Sequence, residues 1–262
     1  MRDLPKSEGG HKKGDEEKRE MVKTGIDGFD ELTYGNGVPK GANILVSGGP
    51  GTGKTIFCLQ LLYNAAKSGH KALYITLEEP LERLRVHMRQ FGWKIDALEE
   101  KGLFVMKRIA PFSIARAVEA QYARVSGKLM EMKGVPKIIP DGLNPYLVAV
   151  DSITALESAF TIKPESYRIY IEQLFRLFEE TGATTFLITE TEDAPMKYSR
   201  TGMEEFLADG VIVLYNSKVR DTRVRAIELL KLRGAKHMSK LVPLHITDKG
   251  IEIFSTGHVF EV

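Results

Sequence analysis

Eight consecutive residues carry the clearest chemical pattern in the chain: Gly48-Gly49-Pro50-Gly51-Thr52-Gly53-Lys54-Thr55. They match the phosphate-binding loop G-x-x-x-x-G-K-[ST] in full. The glycines let backbone N–H groups converge on phosphate oxygens, and the helix that follows adds the positive end of its dipole. Lys54 is expected to reach the β- and γ-phosphates of a nucleotide, and the Thr55 hydroxyl to ligate Mg²⁺. Such a loop needs a second metal-holding group. The apolar run Tyr146–Val150 ends in Asp151, which a parallel sheet would bring beside Thr55. Hydrolysis also needs a group that orients water. Glu78 and Glu79 follow the run Ala72–Leu77, on the ligand side of an open sheet, and either can serve as general base. Glu190 ends the run Thr184–Thr189 and, with Thr189, is a candidate sensor of the terminal phosphate. Strand alternation puts Lys231 and Arg233 on one face. Two such cations usually mark a solvated edge, and they can also meet transition-state charge.

These groups require a scaffold that gathers strand ends. Strand-length apolar runs at 43–47, 72–77, 103–106, 146–150 and 184–189 alternate with helical patterns at 56–67, 80–91, 114–132 and 166–180. Continuous apolar strands alternating with helices predict an α/β fold, a mostly parallel sheet covered by helices on both faces. After Asp209 the pattern changes. Strands at 211–215, 223–232, 242–246 and 251–254, joined by short turns, predict an antiparallel extension on one edge. Residues 127–144 show no clear period and read as an insertion loop. Residues 1–20 hold six basic and six acidic side chains and almost nothing apolar, which predicts a solvated tail ahead of a single domain over 21–262.

Composition narrows the partners. Lys+Arg is 37 and Asp+Glu is 35 in 262 residues, so a net charge of +2 gives no strong electrostatic case for nucleic acid. One cysteine, Cys58, excludes an intrachain disulfide and a Cys-based zinc site. No apolar run reaches the roughly 20 residues of a membrane helix. The first 20 residues lack the apolar core of a secretory signal, so the expected location is cytoplasmic.

Several further stretches resemble the KaiC family of RecA-like ATPases. They are Thr24-Gly25-Ile26-Asp27-Gly28-Phe29-Asp30-Glu31-Leu32, Pro39-Lys40-Gly41, the phosphate loop, Thr76-Leu77-Glu78-Glu79 and Phe91-Gly92-Trp93. Glu204-Glu205-Phe206 with Asp209, and Leu230-Lys231-Leu232-Arg233-Gly234 with His237, extend the likeness from Met21 to Phe254. The resemblance implies one RecA-like P-loop domain that binds and hydrolyses ATP with Mg²⁺. It implies Glu78 and Glu79 as the catalytic pair. It also implies a homo-hexameric ring holding ATP between subunits, with Lys231 and Arg233 acting on the neighbour's nucleotide. The family's adenine-side contacts correspond to Ile246, Thr247 and Asp248, and further nucleotide contacts to Arg225 and Leu230. Where the clock protein of this family carries an autophosphorylated Ser-Thr pair, this chain reads Met203-Glu204-Glu205-Phe206. That argues against the same phosphorylation switch.

Three functions compete on these residues: a ring-forming switch ATPase, a DNA-binding recombinase paralogue on the same core, and a module that binds ATP with negligible turnover. Lys197, Arg200, Lys218, Arg220, Arg223 and Arg225 could face DNA, but the loops carrying them are short. The intact Glu78-Glu79 pair speaks against the third.

Overall fold

The computed structural model describes residues 20–125, 135–161, 164–192 and 197–257. The expected charged tail lies outside them, apart from Glu20, as does the first half of the expected insertion loop. Two short strands, β1 (Met21–Val22) and β2 (Val38–Pro39), pair antiparallel ahead of the main sheet.

The main sheet is built from β3 (Asn43–Gly48), β4 (Ala72–Thr76), β5 (Phe104–Arg108), β6 (Leu147–Asp151) and β7 (Thr184–Glu190). It continues with β8 (Gly210–Val219), β9 (Thr222–Leu232), β10 (Val242–Thr247) and β11 (Gly250–Ile253). Across the sheet the order is β11-β10-β9-β8-β3-β7-β6-β4-β5. Every pairing from β8 to β5 is parallel; β9, β10 and β11 join antiparallel. The fold is therefore the α/β, RecA-like arrangement expected, with one refinement. β8 is a parallel partner of β3, so the antiparallel extension begins at β9.

The helices are α1 (Lys54–Lys67), α2 (Leu81–Gln90), α3 (Ile95–Glu100), α4 (Pro111–Val125), α5 (Ile153–Ala159), α6 (Pro164–Thr181) and α7 (Glu204–Leu207). The strands are buried on both faces, which is why they read as continuous apolar runs. Alternate residues feed two cores. One face packs Ile44, Val46, Tyr74 and Ala149 against α1, α2 and α3. The other packs Leu45, Ile75, Val148 and Val211 against α4, α5 and α6. Val135 and Ile138, from the expected insertion, are buried in that second core. Trp93 is buried and stacks on Tyr63 of α1 at 5.3 Å.

This topology fixes the site. The carboxyl ends of β3, β4, β6 and β7 bear Gly48, Thr76, Asp151 and Glu190. The registers Gly48↔Glu190 and Thr76↔Asp151 put those ends level with one another. Ligands of open parallel sheets bind in the crevice at this edge.

Candidate nucleotide and metal site

The phosphate loop spans the end of β3 and the start of α1. Gly53 caps α1 at φ +105°, a left-handed conformation that costs glycine little and other residues much. A Cβ there would also lie 3.2 Å from Ile246 Cδ1. Lys54 Nζ is buried and donates to the carbonyls of Gly48 and Gly49, each at 2.8 Å. Burial lowers its pKa, while Glu190, Asp151 and Glu78 pull the other way. Its ammonium lies among three carboxylates at the crevice where an anion would bind.

Thr55 and Asp151 meet as the sequence suggested: Thr55 Oγ1 donates to Asp151 Oδ2 at 2.7 Å. Burial raises the Asp151 pKa, and hydrogen bonds from Tyr74 and Thr55 oppose that rise. At the next residue, Ser152 caps α5. Its Oγ accepts from Ala155 N at 3.2 Å and donates to Glu78 Oε1 at 2.5 Å. Thr76 Oγ1 donates to the Glu79 carbonyl at 3.1 Å, fixing the turn that carries both glutamates. Glu190 N donates to Thr154 Oγ1 at 2.8 Å, and Thr154 and Thr189 hydroxyls lie 3.2 Å apart.

A cavity of about 460 Å³ is lined by Pro50, Gly51, Gly53, Lys54, Thr55, Glu78, Glu79, Asp151, Ser152, Glu190, Arg225 and Ile246, among others. Arg225 Nε donates to Gly51 O at 3.0 Å, tying β9 to the loop. Ile246 is held by a clasp: Gln60 on α1 bonds both the N–H and the carbonyl of Ile251, and Trp93 Nε1 donates to Lys249 O. Thr247 and Asp248 follow Ile246 but do not line the cavity. Thr247 Oγ1 turns into its own hairpin and donates to Gly250 O at 3.1 Å.

A magnesium ion suits this donor set. Mg²⁺ prefers hard oxygens and is held by one or two carboxylates plus substrate phosphates. A hydroxyl and a carboxylate in contact, beside an anion-binding loop, supply the protein's share. Among the described residues, no three His, Cys, Asp or Glu side chains form an all-protein metal cage.

Leu230, Lys231 and Arg233 are not brought to this cavity. Lys231 pairs with Val211, at the level of Leu45, while the loop starts at Gly48, the level of Leu214. The cation therefore stands about 10 Å back along the strands, two strands to the side. Lys231 Nζ donates to the carbonyls of Glu205 and Ala208 at 3.0 and 2.6 Å. Arg233 Nη2 donates to Phe206 O at 3.1 Å. Both thus share the face that bears α7, opposite α1. A bulge between Val211 and Ile212 makes Leu230 the extra residue of β9, and it is exposed. Phe206, beside Arg233, is 74% exposed.

The family model described as ATPase, KaiC matches residues 22–258. The chain belongs to the KaiC family. A UPF0273 protein of Pyrococcus horikoshii is 35% identical over 236 residues, covering 89% of this chain and 93% of that one. The circadian clock oscillator protein KaiC of Synechococcus elongatus is 32% identical over 243 residues, covering 90% of this chain but 44% of its own. The crystal structure of a KaiC-like protein from Pyrococcus horikoshii superposes with a TM-score of 0.73 at 32% identity. That match covers 90% of this chain and 99% of the other. The chain is thus a single-domain, ATP-binding KaiC-like P-loop protein. No helix among its described residues is long and apolar enough to cross a membrane.

Three parts of this KaiC-family site escaped the sequence reading. Ser152 looked like the end of a strand, yet it both caps α5 and grips Glu78. Gln60 lay inside an apolar helix with nothing to mark its distant partner. Tyr74 was one more strand residue; the available signal was its hydroxyl, which a buried strand must satisfy.

Proposed function

We propose that this chain hydrolyses ATP with Mg²⁺ as a ring of identical subunits, six by family likeness, with each nucleotide held between neighbours. The carrying observation is the Thr55–Asp151 contact at 2.7 Å beside Lys54, at the lip where Glu78 and Glu79 emerge. The loop amides and Lys54 bind the phosphates. Thr55 and Asp151 hold the ion, which when bound neutralises charge on the phosphate oxygens. Glu78 and Glu79 orient and deprotonate the attacking water, and Ser152 steadies Glu78. Glu190 faces the terminal phosphate, while Thr189, expected beside it as a sensor, is buried against Thr154 and supports the strand end from behind. Arg225 and Ile246 flank the base and sugar side, with Thr247 and Asp248 as closing contacts on the same hairpin.

Lys231, Arg233 and Leu230 point away from their own nucleotide. They serve the neighbour's, so each site is completed by assembly. A closed head-to-tail contact makes a cyclic ring. The acidic lip of one subunit, with Glu78, Glu79, Asp151 and Glu190, complements the cationic, apolar-flanked face of the next. A cytoplasmic setting follows from this reading. The recombinase alternative gains no support from the family match.

Calorimetry of Mg-ATP binding, with phosphate release and light scattering on the same sample, tests the proposal. Wild-type protein is expected to bind, turn over and form a ring, and Lys54→Ala to lose binding. Equal affinity in Lys54→Ala overturns the assignment.

A further inference from the structure

Tyr74 lies in the middle of β4 and is fully buried. Its Oη donates to Asp151 Oδ2 at 2.5 Å, the oxygen that also accepts from Thr55. The two donors come from different layers, Tyr74 from the sheet and Thr55 from α1. The strand register explains the reach. Tyr74 stands opposite Ala149 and Thr76 opposite Asp151, so Tyr74 and Asp151 are diagonal neighbours on one face.

We propose that Tyr74 is a positioning residue for the metal site: its hydroxyl pins Oδ2 of Asp151 and leaves Oδ1 as the oxygen turned to the ion's water shell. This rests on the reading of Thr55 and Asp151 as the metal-holding pair. Thr55 alone is a weak tether, because its oxygen must also face the ion. A second donor removes the remaining freedom of the carboxylate. It also occupies Oδ2, whose lone pairs are then both taken. Asp151 thereby acts through water, as suits an ion that sheds its own waters reluctantly. Outer-shell partners of this kind are worth roughly 10- to 100-fold in metal affinity.

The test is ADP binding by the full-length protein, titrated with Mg²⁺, a readout that needs no turnover. Tyr74→Phe removes one oxygen and keeps the ring. ADP affinity in chelator is expected to stay at the wild-type value. The Mg²⁺ concentration giving half of the metal-dependent tightening is expected to rise about tenfold. In an Asp151→Ala background the same substitution is expected to shift that concentration by less than about twofold, because the carboxylate it pins is gone. An unmoved Mg²⁺ curve in Tyr74→Phe overturns the proposal, as does an equal shift in both backgrounds. Wild-type protein that binds no ADP overturns the underlying nucleotide reading instead, and the two failures are told apart. If thermal melting shows Tyr74→Phe unfolded, wild-type protein carrying ring-labelled tyrosine decides. The Tyr74 resonance, assigned by its contacts to Ala149, is expected to move when Mg²⁺ joins bound ADP; a fixed resonance overturns the proposal.

Discussion

Arg233→Ala gives the sharpest test of assembly. The substitution removes a guanidinium anchored about 17 Å back along the strands and two strands to the side of its own phosphate loop, on the opposite face of the sheet from α1. Within its own fold it loses a hydrogen bond to Phe206 O at 3.1 Å and a 3.8 Å approach to Asp209. Its side chain is 54% exposed, so stability is expected to fall by less than about 1 kcal/mol. Turnover is another matter. A finger arginine contributes roughly 10³-fold or more. With Lys231 still present, a loss of about a hundredfold is expected, at unchanged ATP affinity. Mixing then separates the geometries. Arg233→Ala subunits keep the phosphate loop; Lys54→Ala subunits keep the cation. In rings mixed at equal ratio, an active contact needs the first type followed by the second, which random assembly provides at about a quarter of interfaces. Phosphate release should therefore recover to about a quarter of wild type per interface. The assay is phosphate release, with native mass spectrometry to confirm subunit exchange. Exchanged rings that stay inactive refute action between subunits.

Three further outcomes follow from the same geometry. Glu78→Gln with Glu79→Gln should retain ATP affinity by calorimetry and lose most phosphate release, because the pair acts on water. Gly250→Ala would set a Cβ 2.4 Å from Gln60 Oε1 at φ +124°, springing the clasp that holds Ile246. A cost of about 1–3 kcal/mol is expected, read as a thermal midpoint several degrees lower and a weaker nucleotide affinity. On α2 and α3, hydrogen bonds from Arg89 hold the carboxyls of Glu82 and Asp96 below their ordinary values. A lowered folded pKa contributes stability above the unfolded value and loses it as pH falls through the folded one. The effect of Arg89→Ala on denaturant midpoint should thus be small at pH 7 and vanish below the folded pKa values of the two carboxyls.

What the sequence disclosed and what it hid divide along one physical line. The phosphate loop, Asp151 and the glutamate pair were legible because each is a local pattern with an obligatory neighbour: a strand before, a helix after, a carboxylate at a strand end. The parallel sheet was legible because strands covered on both faces lose their alternation. The place of β8 was not. Its apolar run fits either orientation, and only pairing with β3 on one side and β9 on the other decides it. Likewise Tyr74, Ser152 and Gln60 act across 77, 74 and 191 positions of sequence, through single hydrogen bonds that no periodicity records. Lys231 and Arg233 show the same limit from the other side. Alternation correctly predicted a shared face but said nothing about which nucleotide that face meets. Register answers for their own subunit, by placing them at the wrong end and on the wrong side of the sheet. A pair of cations excluded from its own site, beside an exposed phenylalanine and on a molecule whose own lip is acidic, is a surface that makes chemical sense against a second copy.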